Sequence, residues 1–182
     1  DRSRAGLSRL RSDVGIVFQD PDDQLFAGTL FQDVAFGPVN QGLERQQVRE
    51  RVESALGKMG LSDYAELPPH VLSHGMRKRA ALAGVLATNP RLLLLDEPTA
   101  GLDPDGESSL LAVLTDLVEQ GATVVLSTHD LELARTWARD AMVLDRGRLA
   151  AVGPVERILS NRGLLEETGL RRRSRGRTVS VP

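Results

Sequence analysis

The chain has 182 residues, 41% hydrophobic and 26% charged, which suits one domain, or one with an appendage, and is too apolar for global disorder. Its 23 Lys and Arg against 25 Asp and Glu give a net charge of −2, too balanced for a protein that coats nucleic acid, and zero cysteines exclude a disulfide scaffold, a thiolate nucleophile and any Cys-ligated metal. No apolar run approaches the ~20 residues that span a bilayer, and the N-terminus lacks the basic, apolar, small-residue order of a signal peptide, so a soluble cytoplasmic chain is expected.

Strand and helix signals alternate along the chain. Val14 to Phe18 is a short β-rich run, and Thr29 to Phe36 opens with a T-x-x-Q capping box that predicts a helix. Glu44 to Met59 carries Val48, Val52, Ala55, Leu56 and Met59 at helical spacing and is bounded by Gly60. Arg77 to Ala87 reads as a helix rich in small residues, stopped near Asn89 and Pro90, and Leu92 to Leu95 as a buried strand. Ser108 to Glu119 predicts a helix ended by Gln120 and Gly121, Thr123 to Ser127 a strand, and Leu131 to Arg139 a further helix. Ala141 to Leu144 and Leu149 to Val152 flank Arg146-Gly147 as a hairpin. Whether Gly153 to Leu170 forms a helical dimerisation appendage or merely finishes the domain stays open. From Gly169 on, Arg171, Arg172, Arg173, Arg175 and Arg177 accompany no acid, so residues 169–182 are expected to be a basic flexible tail. The preceding 168 residues then carry a net −7.

Apolar strands separated by helices argue for an α/β fold with a mostly parallel sheet covered on both faces, in which ligands sit at the carboxyl ends of strands. The Leu92 to Leu95 strand runs straight into Asp96-Glu97-Pro98-Thr99. Asp96 is then placed to hold Mg²⁺, a hard cation that takes oxygen ligands and shares them with substrate phosphates. Glu97 could orient or deprotonate an attacking water, a role worth roughly 10²–10⁴-fold in rate; the simpler alternative is an acid pair capping the next turn. The other strand ends in Ser127, Thr128, His129 and Asp130, and His129 gains functional weight by lying on the same sheet edge. Leu72-Ser73-His74-Gly75 opens a helix whose N–H groups and Ser hydroxyl can bind an anion, although from this segment alone Ser73 as a plain N-cap is the favoured reading.

Taken in order, these segments resemble the ATP-binding subunit of an ABC transporter. Val17-Phe18-Gln19 resembles the Q-loop, Leu72 to Met76 the signature motif, and Leu92 to Glu97 the Walker B strand with its catalytic Glu. Ala100-Gly101-Leu102-Asp103 resembles the D-loop and His129 the switch His, so the likeness covers about Val14 to Val152. The finer resemblance is to the energy-coupling factor group, especially cobalt- and nickel-type importers. It rests on Val17 to Pro38, where Gln19 is followed by Asp-Pro-Asp-Asp-Gln and a helix carrying Asp33 to Gly37, and on the LSHG of Leu72 to Gly75.

The resemblance implies a P-loop NTPase-like parallel sheet flanked by helices, in a partial ABC ATPase domain over 1–168 with a helical signature subdomain at about 27–88. It implies two subunits that sandwich two ATP molecules, each between the Walker motifs of one subunit and the signature of the other. Asp96 and Gln19 would serve the Mg²⁺, Glu97 would polarise water, and His129 would contact the γ-phosphate. Ser73, His74, Gly75 and Met76 would meet the partner's ATP, and Asp103 would cross the dimer interface. Further implied partners are integral membrane subunits, met through the Q-loop region, with the protein peripheral at the cytoplasmic face of the membrane and no nucleic acid involved.

The sequence departs from this pattern in two places. The phosphate loop G-x-x-x-x-G-K-[ST] is missing: Lys58 is followed by Met59, and Lys78 by Arg79. The expectation is a chain lacking the first strand, phosphate loop and first helix, together about 30 residues or more on the scale of a βαβ unit, and unable to turn over ATP by itself. Met76 stands where the signature usually has Gln, which removes one amide hydrogen bond worth ~0.5–1.5 kcal/mol. Two other functions compete: a non-catalytic partner that lends its signature to a sister subunit's ATP, and a soluble ABC-type ATPase acting on DNA or ribosomes, supported only by the Arg-rich tail.

Overall fold

The alternating signals become, in a computed structural model that describes residues 4–170, a three-stranded parallel sheet in the order β1 (Val14–Val17), β2 (Leu92–Asp96), β3 (Thr123–Ser127). The register aligns Gly15 with Leu93 and Val124, Val17 with Leu95 and Leu126, and Asp96 with Ser127. Contacts divide the chain into two compact units, one up to Ser127 and one from Thr128 onward. The division falls where the parallel ladder ends, and the second unit has its own core of Val143, Val155, Ile158, Leu159 and Leu165.

In the first unit, α1 (Arg4–Asp13) precedes β1, where the sequence reading assigned no element. Between β1 and β2 lie α2 (Leu30–Asn40), α3 (Arg45–Lys58) and α4 (His74–Leu86). The Thr29 hydroxyl accepts from Gln32 N to start α2, as the capping box predicted, but the helix runs through Pro38 to Asn40. Glu44 and Gln47 form a reciprocal capping box on α3. These three helices share a core that includes Val34, Val52, Leu56, Ala80 and Ala83. Side chains also tie them together: Gln41 Nε2 donates to Thr88 O at 2.9 Å and an Arg79 guanidinium N–H to Met59 O at 2.8 Å. α4 lies against β1 because residue 15 is glycine, since a Cβ there would overlap Val85 Cγ1. Between β2 and β3 runs α5 (Pro104–Glu119), which buries Leu110, Val113, Leu114 and Leu117. It begins four residues before the expected Ser108, because Asp103 caps it and Pro104 occupies its first turn.

Cover on both faces of the sheet was expected from the all-leucine strand. The described residues supply less: on the face shared by Ile16, Leu94 and Val125, Ile16 is 47% and Val125 40% exposed, while Val17, Leu93 and Leu95 opposite are buried.

The second unit comprises α6 (Leu131–Trp137), the antiparallel hairpin β4 (Asp140–Asp145) and β5 (Arg148–Pro154), then α7 (Val155–Ser160) and α8 (Arg162–Glu167). The hairpin turns at Arg146-Gly147, both with positive φ (47° and 76°), as a two-residue turn of the primed type requires. α6 stops at Trp137, short of the expected Arg139. The short helices α7 and α8 contribute Val155, Ile158, Leu159 and Leu165 to this unit's core. The basic tail expected over 169–182 lies, from Arg171 on, outside the described residues. Among the described residues no helix is long and apolar enough to cross a membrane.

Candidate functional site

At the carboxyl end of β2, four leucines give way to Asp96, set opposite Ser127 across the parallel ladder. Ser127 Oγ donates to Asp96 Oδ1, fixing one carboxylate oxygen. Glu97 N turns back to the same residue, donating to Ser127 O at 3.2 Å and to its Oγ at 3.1 Å. Glu97 has φ of +46°, a left-handed conformation uncommon outside glycine and held only where the surroundings over-determine it. The chain then folds into a tight turn in which Ala100 N donates to Glu97 O at 3.2 Å. Lys78 Nζ, reaching from α4, donates to Glu97 O at 2.6 Å and to Ala100 O at 2.8 Å. Lys78 is 2% exposed. Burial pushes its pKa below the ordinary 10.5, opposed by the nearby carboxylates of Glu97 and Asp96.

A cleft of about 640 Å³ brings Gln19, Asp96, His74 and Lys78 together with Phe18 and Gly101. Gln19 and Asp96, both singled out from the sequence, thus line one cleft. Gln19 sits at the start of a loop held to β1 by Gln24, whose Oε1 accepts from Phe18 N (2.8 Å) and whose Nε2 donates to Ile16 O (3.2 Å). An Arg77–Asp22 ion pair at 2.7 Å ties that loop to α4. Further along, the buried Asp33 carboxylate accepts from Phe26 N at 3.1 Å and Ala27 N at 3.0 Å.

Ser73 caps α4, its Oγ accepting from Met76 N at 3.3 Å, which leaves the exposed hydroxyl able to donate elsewhere. His74 follows and packs on Gly101, whose absent Cβ would lie 3.5 Å from His74 Cδ2; Gly75 approaches Leu102 similarly. His74 also lines the cleft that holds Gln19 and Asp96. Asp103 Oδ1 accepts from Gly106 N at 2.8 Å, so this carboxylate is an N-cap as well as a candidate interface group. His129 is exposed in the second unit, next to Asp130, whose Oδ1 caps α6 through Glu132 N and Leu133 N.

Sequence reasoning passed over Lys78, treating it only as a lysine that fails the phosphate-loop pattern. A signal was available: it falls three and four residues before the buried Ala81 and Leu82, on the apolar stripe of α4. A charged residue on such a stripe needs a buried partner.

Among the described residues no three His, Cys, Asp or Glu side chains are grouped to hold a metal by themselves. One carboxylate and one amide beside a cleft suit instead a hard cation that draws its other ligands from water and phosphate oxygens, as Mg²⁺ does.

The sequence profile described as "ABC transporter" matches residues 2–100, more than half of the chain. The chain belongs to the ABC transporter family. Its curated relatives include the energy-coupling factor transporter ATP-binding protein EcfA of Methanosphaera stadtmanae, 47% identical over 92% of this chain and 60% of the relative. The cobalt import ATP-binding protein CbiO of Rhodobacter capsulatus is 48% identical over 93% of this chain and 60% of its own length. This ABC family chain thus spans about 60% of the length of these relatives. Among solved structures, cbiO1 from Clostridium perfringens, part of the transporter complex cbiONQ, superposes with a TM-score of 0.77 at 41% identity, over 94% of this chain and 68% of that one. A dimeric ATP-binding cassette bound to ADP and Pi gives 0.76 at 28% identity, over 85% and 68%. The α/β fold with parallel strands flanked by helices is that of these ABC ATPase cassettes.

Proposed function

We propose that this chain is the larger part of the ATP-binding subunit of an energy-coupling importer, a transport ATPase that pairs with a second ATPase subunit and couples hydrolysis to uptake of cobalt, nickel or a vitamin. The observation that carries the reading is that Asp96 and Gln19 line one cleft at the sheet edge, with Glu97 following Asp96 on a left-handed turn. The names of its EcfA and CbiO relatives support the transport setting.

Mg²⁺ bound with ATP supplies charge neutralisation at the phosphates, and Asp96 with Gln19 would hold it. Asp96 enters that role with one oxygen anchored by Ser127, so its orientation is set beforehand. Glu97 accepts a hydrogen bond from the attacking water and orients it toward the γ-phosphate. His129, by its resemblance to the switch His, would contact a γ-phosphate. The Ser73 hydroxyl and the N–H of Gly75, at the start of α4, donate to the γ-phosphate of the partner's ATP, where the helix N-terminus favours an anion. His74 and Met76 flank that contact, and Asp103 faces the partner across the dimer. The phosphate loop comes from chain outside these 182 residues. The loop from Gln19 to Phe26, anchored by Gln24 and Asp33 and exposing Gln19, Asp20, Asp22, Asp23 and Phe26, meets integral membrane subunits and keeps the protein at the cytoplasmic face of the membrane.

The test is Glu97→Gln in the full-length protein that includes the phosphate loop. Turnover should vanish while ATP binding persists and ATP-driven dimerisation strengthens; near-normal turnover refutes the role given to Glu97. A second reading, a non-catalytic subunit that only donates Ser73 and Gly75, draws on the missing G-x-x-x-x-G-K-[ST]. Translating the locus upstream of Asp1 separates the two: an in-frame strand and phosphate loop support the ATPase, and a stop codon or unrelated sequence supports the donor.

A further inference from the structure

The turn that carries Glu97 is held from both sides. On one side its N–H is bound by Ser127, and on the other its carbonyl and that of Ala100 converge on the single nitrogen of Lys78. A left-handed residue with a long side chain does not persist unless its neighbours hold it. Lys78 supplies that hold as a buried ammonium whose two acceptors both belong to the turn. A carbonyl pair of this kind prefers a cation to water, because charge-assisted hydrogen bonds are stronger than neutral ones.

We infer that Lys78 is a positioning residue for Glu97: by clamping the two ends of the Glu97–Ala100 turn it sets where the Glu97 carboxylate stands. The inference rests on the hydrolytic reading of Glu97 given above. Its geometry has a further consequence. Lys78 sits little more than one turn from the Ser73 cap on the same helix, and His74 and Gly75 of that helix touch Gly101 and Leu102, directly after the clamped turn. Any shift of α4 that follows engagement of Ser73 by a phosphate is therefore passed through Lys78 to the chain's own catalytic carboxylate. One rigid element links the end that would bind the partner's nucleotide to the residue that would hydrolyse its own.

The experiment compares Lys78→Met, Lys78→Gln and Lys78→Arg in the full-length ATPase, each also combined with Glu97→Ala. Misplacing a catalytic group by an ångström costs on the order of 10²-fold, so Lys78→Met should lower kcat about 10- to 100-fold while the KM for ATP stays within about twofold. Lys78→Arg, which keeps the cation, should restore most of kcat. In the Glu97→Ala background the same substitutions should leave the residual single-turnover rate unchanged, because Lys78 acts through Glu97. A purely structural lysine would instead lower the rate in both backgrounds and in step with thermal stability, and that pattern overturns the inference. So does an unchanged kcat in Lys78→Met. If Lys78→Met does not fold, Lys78→Gln and its combination with Glu97→Ala decide by the same criterion. An unmodified protein without ATPase activity, or one in which Glu97→Gln stays active, overturns the underlying reading together with this inference. Activity lost in Glu97→Gln but kept in Lys78→Met overturns the inference alone.

Discussion

The Asp33 carboxylate pins the loop that follows Gln19, and its removal has a computable local cost. Asp33 is 8% exposed, and its two oxygens each accept one backbone N–H, from Phe26 at 3.1 Å and Ala27 at 3.0 Å. Hydrogen bonds to a charged group contribute about 1.5–3 kcal/mol each. Phe26 is 67% exposed, so water recovers part of the loss in the variant. Asp33→Ala should therefore cost ~2–4 kcal/mol. The effect should be local, because the two donors belong to one loop. If the whole cost appears as easier opening of that loop, the amides of Phe26 and Ala27 exchange with solvent about 30- to 700-fold faster, at a factor of ten per about 1.4 kcal/mol. Asp33→Asn keeps one acceptor and sets an amide N–H against the other donor, so it should show a smaller acceleration of the same two amides. The Phe26–Phe36 edge-to-face contact, with ring centroids 5.0 Å apart, should loosen in parallel. Hydrogen exchange resolved by residue reads all of this. Exchange at Phe26 and Ala27 that stays at the parent rate in Asp33→Ala, or that rises equally throughout α2, α3 and α4, would refute the argument that this carboxylate pins the Phe26–Ala27 end of the loop.

Gly15→Ala should destabilise by ~1–3 kcal/mol through overpacking against Val85, with Val85→Ala in the same chain restoring much of the loss; an unshifted urea midpoint in the single variant would show that α4 moves away freely. Lys78 gives a pH dependence whose sign follows from its lowered pKa. Between its folded value and 10.5 the unfolded chain holds more protons than the folded one, so the stability contributed by this group rises with pH there. Urea titrations from neutral to about pH 11 should show the gap between parent and Lys78→Met widening across that window, and a flat gap contradicts the buried amine. Met76→Gln in the full-length protein should change the ATPase rate only mildly, since Ser73 and backbone groups carry the helix-end contact; a rise above about a hundredfold, close to 3 kcal/mol, would show that Met76 disables the signature.

Much of the fold was legible because its signals are local. The three-and-four spacing of Val48, Val52, Ala55 and Leu56 specifies α3 without knowledge of its neighbours, and the positive φ demanded by a two-residue hairpin turn is written in Arg146-Gly147. α5 could have been started correctly from the Asp103 cap and Pro104, but its apolar stripe begins later and drew the boundary to Ser108. α1 was missed because its ten residues hold three arginines and only Leu7 and Leu10 as large apolar residues, too few to set a helical stripe.

The motif residues were also legible in their order, since a strand that ends in acids places them at the sheet edge whatever surrounds it. The sequence by itself determined which residues stand at the ends of β1, β2 and β3, and that Asp96 and Glu97 leave an apolar strand for a polar edge. Only the tertiary structure decided that Ser127 orients Asp96, that His74 lies on the same cleft, and that Lys78 is buried beneath the Glu97 turn. The physical reason is that these contacts join residues 19 to 31 positions apart through a parallel register and a helix docked on a glycine, and no local propensity encodes which carbonyl a lysine will find there.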